Sequence, residues 1–164
     1  MLPLILALVA VAASAVAPAS PDVTASPADA RWTAPVAPVV LLAPYDPPAR
    51  RWLPGHRGVD LAAAQGQAVR AAGPGTVTWA GVLVDRGVVV VSHTDGMRTT
   101  YEPVDPVVAV GDHVERGELL GTLGSGDVHC GGVPRCLHWG LRRGRDYLDP
   151  WLLLHPGRAV LLPP

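Results

Sequence analysis

The sequence predicts a mainly β domain built on an antiparallel sheet core. Eighteen glycines and eighteen prolines are spread through the 164 residues, and both residue types break helices and punctuate short strands. The runs between them are short and either β-branched or alternating. An apolar fraction of 49% against 16% charged residues gives the chain enough apolar surface to fold rather than stay disordered. The length suits one domain with a real core and is short for two.

The first stretch, Met1 to Ala17, is apolar apart from Ser14 and is followed at once by Pro18. Seventeen residues lie at the lower edge of a bilayer span. The small residues around Ala13-Ser14-Ala15 and Ala17-Pro18-Ala19 suit a signal peptidase, so residues 1–19 read as a cleaved export signal, with an uncleaved anchor as the alternative. No stable membrane span is expected after its removal. Residues 20–38 read as a Pro/Ala-rich linker without structure, and residues 39–164 as the folded domain. Export accords with the two cysteines, Cys130 and Cys136, which are near neighbours able to pair in an oxidising compartment.

Within the domain, Thr76–Ala80, Gly87–Ser92 and Met97–Tyr101 read as strands. Asp95-Gly96 between the last two marks a hairpin, which places His93 at an exposed hairpin end. A weak repeat follows. Gly66-Gln67-Ala68-Val69 matches Gly111-Asp112-His113-Val114, each glycine supplying a turn and each valine pointing inward, with His113 as a solvated polar residue. The second copy runs on through Glu118-Leu119-Leu120-Gly121-Thr122-Leu123-Gly124 and resembles the turn-rich half of a biotinyl/lipoyl-type sandwich. All thirteen cations are arginine, so no lysine carries a biotin or lipoyl group and only the architecture is shared. Thirteen cations against fourteen acids, a net charge of −1, give no basic field for nucleic acid.

Chemistry concentrates in two places. In Gly55-His56-Arg57-Gly58-Val59-Asp60 an imidazole and a carboxylate stand four apart, able to share a metal if the chain between them is extended or turned. In Cys136-Leu137-His138-Trp139-Gly140-Leu141, a strand places Cys136 and His138 on one face and Leu137, Trp139 and Leu141 on the other. Taken alone, His138 on such a strand reads as a hydrogen-bonded core histidine or as a ligand.

Together with Arg51-Trp52 and Val69-Arg70-Ala71-Ala72-Gly73-Pro74-Gly75-Thr76-Val77, these segments resemble lysostaphin/LytM-type zinc metallopeptidases over roughly positions 44–154. The composition and short secreted format are similar to actinobacterial members. The resemblance implies a β-sheet core with a groove holding one zinc ion per chain. His56, Asp60 and His138 would be the ligands, with a water completing an open tetrahedral site. It also implies hydrolysis of peptide bonds in peptidoglycan.

Two positions depart from the family pattern. The first histidine of its His-x-His strand is Cys136 here, and the histidine of its Tyr-x-His segment falls on Pro103. In the family those imidazoles orient the water and stabilise the tetrahedral intermediate, and removing a positioned acid or base costs about 10²–10⁴ in rate. Glu102 is expected to face away, since neighbouring strand positions point to opposite sides. His129 is the expected substitute, held near the groove by a Cys130–Cys136 disulfide that closes a small loop and contributes about 2 kcal/mol in the chain-entropy account. The rival use of Cys136 is as a thiolate in a closed, structural zinc site.

Arg142, Arg143 and Arg145 read as solvated surface, with contact to stem-peptide carboxylates or anionic wall polymers as the alternative. Trp139 reads as core and Trp52 as a candidate groove wall. Residues 146–151 read as a turn into a terminal element, and His155 has no identifiable partner. The reading reached is a secreted zinc metalloendopeptidase domain acting on peptidoglycan. The alternatives are a non-hydrolytic member that binds cell wall or regulates a partner hydrolase, and a zinc-stapled structural domain.

Overall fold

The computed structural model describes residues 31–125, 130 and 135–155. The export signal, the first part of the linker and His129 lie outside the described residues. Among the described residues eleven strands run in chain order: β1 Leu41–Ala43, β2 Gly58–Ala62, β3 Ala68–Arg70, β4 Gly75–Leu83, β5 Arg86–Ser92, β6 Met97–Glu102, β7 Val104–Pro106, β8 His113–Val114, β9 Leu119–Leu123, β10 Cys136–Arg143 and β11 Asp146–Leu148. One helical turn, α1 Trp151–Leu154, follows. The main sheet is antiparallel in the order β1-β2-β10-β6-β5-β4-β8, with β11 paired to β10. A smaller antiparallel sheet, β3-β9-β7, is the turn-rich half.

The repeat predicted from sequence is built as a turn. Gly66 and Gly111 have φ of +76° and +98°, which a side chain rarely adopts. The next residue's side chain accepts from the amide three positions back, Gln67 from Ala64 and Asp112 from Ala109. Val69 and Val114 are buried, as the pattern requires.

Alternation on the central strands sorts the molecule into two faces. Val59, Trp139, Tyr101 and Val89 are register partners across β2, β10, β6 and β5, and all four are fully buried. They form one row of a core that also takes Leu61, Leu120, Leu123 and Leu137. The next row, Asp60, His138 and Glu102, points to the other side of the sheet.

Two expectations fail together. Residues 31–38, the end of the segment read as linker, pack on the domain. Thr33 donates to the Ala72 carbonyl, Arg70 to that of Pro35 and Gln67 to that of Ala37, and Val36 joins the core. Trp32 in that segment sits edge-on to His93, with ring centroids 4.7 Å apart. His93 is consequently buried, 5% exposed, rather than at an open hairpin end, although the Asp95-Gly96 turn forms as expected with Gly96 at φ +77°.

Candidate metal centre

A groove of about 1330 Å³ runs along the non-core face of the main sheet, and His56, Asp60 and His138 lie in its wall. Asp60 and His138 come from directly opposed positions of β2 and β10. His56 precedes β2 and is held by a bridge to Asp46, with amide–carbonyl bonds in both directions. Gly58 explains the spacing between them. A Cβ there would sit 2.7 Å from His138 Nε2 and 2.5 Å from the Trp139 carbonyl, so the His138 ring reaches its place only across a residue without a side chain.

The three side chains converge tightly. His56 Nε2 is 3.0 Å from Asp60 Oδ1, His138 Nδ1 is 2.9 Å from the same oxygen, and the two nitrogens are 3.2 Å apart. His56 Nδ1–H donates to the Pro44 carbonyl at 2.6 Å; a carbonyl only accepts, so a neutral His56 turns an Nε2 lone pair towards Asp60. Burial pushes the Asp60 carboxyl up, but His138 and His56, which donate to it and carry charge when protonated, outweigh this and hold the pKa below the ordinary value. Among the described residues this is the one group of three metal-ligating side chains whose donor atoms lie within 4.8 Å of one another. Bonds of about 2.0–2.1 Å to a tetrahedral zinc place its ligand atoms about 3.3 Å apart, so small outward shifts admit the ion. The donor set, two imidazoles and a carboxylate with an open side towards the groove, leaves a fourth position for water, unlike a closed four-ligand structural site. The Pro44 carbonyl is the outer partner that fixes the His56 ring.

Cys136 is joined to Cys130 in a disulfide. Its sulfur is therefore not a thiolate ligand, and the four-ligand alternative is corrected. Pro103 is buried and lies beyond the end of β6.

Glu102 corrects the sequence reading. It is the register partner of His138 and lines the same groove, because β6 alternates Thr99 and Tyr101 into the core and Thr100 and Glu102 out of it. Pro103 lies past the end of the strand, so alternation does not set it opposite Glu102. Arg86 Nε donates to the Glu102 carboxylate at 2.8 Å. The groove wall also contains Arg98 and Trp79, which the sequence did not single out. A register shift in β4 between Val77 and Trp79 disturbs the alternation there, and Trp79 is 43% exposed. Trp52, the expected wall, is 77% exposed and not in the lining. Of the three late arginines, Arg142 lines the groove, while Arg143 and Arg145 are exposed elsewhere. His113 is exposed as expected. His155 stacks on Trp151 at 4.9 Å and its Nδ1 lies 3.2 Å from the Trp151 carbonyl.

The sequence pattern of Peptidase family M23 matches residues 54–150. An uncharacterized protein of Mycobacterium tuberculosis is 44% identical over 121 residues, which cover 71% of this chain and 48% of that protein; the chain thus spans about half the length of this relative. The SpoIIQ–SpoIIIAH pore-forming complex contains a chain of similar fold, with a TM-score of 0.64 and 22% identity, over 75% of this chain and 90% of that one. Lysostaphin is similar with a TM-score of 0.58 and 23% identity, over 77% of this chain and 56% of lysostaphin.

Proposed function

The chain belongs to peptidase family M23, and from that premise we propose that it is a zinc metalloendopeptidase that cleaves peptide bonds of peptidoglycan outside the cytoplasm. The observation that carries the proposal is the convergence of His56 Nε2, Asp60 Oδ1 and His138 Nδ1 at the wall of an open groove. The lysostaphin/LytM-type resemblance supports peptidoglycan as substrate. The leader-like residues 1–19 and the Cys130–Cys136 disulfide support an oxidising, extracytoplasmic setting. Among the described residues no helix is long and apolar enough to cross a membrane.

His56, Asp60 and His138 would hold the ion, which when bound would supply Lewis acidity and a water of pKa lowered to about 7. The groove holds an extended peptide against the sheet face, with Trp79 as apolar wall. Glu102 takes over the proton transfer that the family gives to imidazoles. It stands beside His138, and Arg86 keeps its carboxylate oriented. His129 is the other proposed acid/base group.

The test is paired: zinc quantified on the disulfide-intact protein, and release of new amino groups from purified peptidoglycan, with His138→Ala as control. One zinc per chain and release that the substitution abolishes is the expected result. Cys136 and Pro103 in place of two histidines favour the second reading, a non-hydrolytic wall binder or a regulator of another hydrolase. One zinc with no release from any wall preparation would establish that reading instead.

A further inference from the structure

The groove has a second polar end. Along β10 the groove-facing positions run His138, Gly140, Arg142, and along β6 they run Glu102, Thr100, Arg98. Arg98 and Arg142 are direct register partners. Like charges opposed in this way repel unless an anion lies between them. Among the described residues neither arginine has a carboxylate partner. The groove carboxylates nearer the histidines are already engaged, Asp60 with His56 and His138 and Glu102 with Arg86.

Arg142 is also held in place. Its Nε and Nη2 both donate to the Gly144 carbonyl, at 3.2 and 2.9 Å, and its guanidinium lies 5.6 Å from the centre of the Tyr147 ring. Arg57 flanks the same ring at the same distance and is tied by Nη2 to the Arg51 and Leu53 carbonyls. Three cations thus edge one end of the groove, two of them held by backbone and ring contacts before any ligand arrives. With the Nε–Nη2 edge of Arg142 turned to Gly144, its Nη1 side and the Arg98 guanidinium are the N–H donors left for a planar carboxylate.

We propose that Arg98 and Arg142 form a subsite for a free carboxylate of the bound peptide. The inference rests on the peptide-cleaving reading of the same groove and names a substrate feature that reading leaves open. Four strand residues separate His138 from Arg142, about 13 Å at about 3.3 Å per residue. An extended substrate therefore presents its carboxylate about four residues from the bond held at the His–Asp–His cluster.

The test compares N-acetylated penta-alanine as free acid with its C-terminal amide, by titration calorimetry on the full protein and on His138→Ala. The free acid is expected to bind about tenfold more tightly, a preference that shrinks with salt. Arg98→Gln and Arg142→Gln should each cut that preference and the double variant remove it. The melting temperature of Arg98→Gln should not fall, because one of two opposed like charges is gone, so a lost preference reports binding and not misfolding. Equal binding of acid and amide, no binding of either at millimolar peptide, or a preference that survives in the double variant overturns the subsite. Tighter binding of a glycerol phosphate oligomer than of the free acid overturns its assignment to a carboxylate. A clear acid preference in a protein that releases nothing from peptidoglycan keeps the subsite and removes the peptidase reading instead.

Discussion

Two hydrogen-bonded groups, one with a single histidine and one with a pair, lie on opposite faces of one sheet, and their bonds close differently. On the core side, Ala72 N–H donates to the Tyr101 hydroxyl at 2.9 Å, Tyr101 and Thr99 hydroxyls are 2.9 Å apart, and Thr99 Oγ1 is 2.8 Å from His93 Nε2. His93 Nδ1–H donates to the Pro74 carbonyl at 2.8 Å. Each proton has one acceptor when Tyr101 gives to Thr99 and Thr99 gives to a neutral His93. The chain is complete without a ligand, and it is sealed. On the groove side, two ring nitrogens and a carboxylate oxygen point at one another within 3.2 Å. A neutral His56, with its Nδ1–H committed to Pro44, presents only a lone pair to that oxygen. The core-side relay spends each donor and acceptor on a protein partner, whereas the groove side turns the Asp60 carboxylate and a neutral His56 Nε2 lone pair towards one point, an arrangement that suits a cation.

The sharpest way to break the contrast is His138→Ala. Bound zinc should fall from one per chain to none, and amino-group release from peptidoglycan should disappear. Added zinc should raise the melting temperature of the wild type by mass action and leave the variant unchanged. If the variant keeps its zinc, the convergent cluster is not the site. Glu102→Gln comes next, with an expected rate loss of about 10²-fold or more at unchanged zinc content. Full activity in that variant would shift the proton transfer to another group, His129 first.

Tyr101→Phe tests the other side. It leaves the buried Ala72 N–H and the Thr99 hydroxyl short of a partner and should cost about 1–3 kcal/mol in a denaturant titration, with zinc content unaltered. A loss of zinc there would mean the two faces are coupled after all.

The smallest effect is a pH dependence. Burial lowers the His93 pKa, and Arg31 adds to this, against opposing contributions from the Pro74 carbonyl and Asp95. The unfolded chain then binds the proton more readily than the native one, so His93 contributes stability that is full above about pH 6.5 and lost as pH falls towards its native pKa. His93→Gln should flatten this part of the metal-free stability profile. An unchanged slope would place the titration on another group.

What the sequence made legible was whatever depends on local spacing. The Gly-Val repeat, the Asp95-Gly96 turn, and the opposite faces of His138 and Trp139 all follow from positions a few residues apart. The groove's other residues depend on which strand lies beside which. Glu102 and Arg98 acquire meaning only through pairing with His138 and Arg142 across β6 and β10, and no pattern within Met97–Glu102 announces that partner. The burial of His93 is hidden from the sequence for a similar reason. Its cover, Trp32, is sixty-one positions upstream, in a stretch whose Pro/Ala/Ser composition carries no period. Trp79 faces the groove beside a break in the β4 register, where strict alternation no longer applies.

The alternation on β10 carries a consequence for how this chain tolerates insertions and deletions. Trp139 and His138 are neighbours in sequence, one filling the core and the other reaching the groove. A single added or deleted codon upstream in that strand, if absorbed by a slip in pairing, would send the indole to water and the imidazole into the core. Strand-length variation is therefore expected to abolish folding before it can produce a folded domain lacking His138 in the groove. Loss of the site by substitution carries no such penalty. Relatives that have lost the His–Asp–His cluster should differ by point changes at His56 or along β2 and β10 and keep the lengths of both strands.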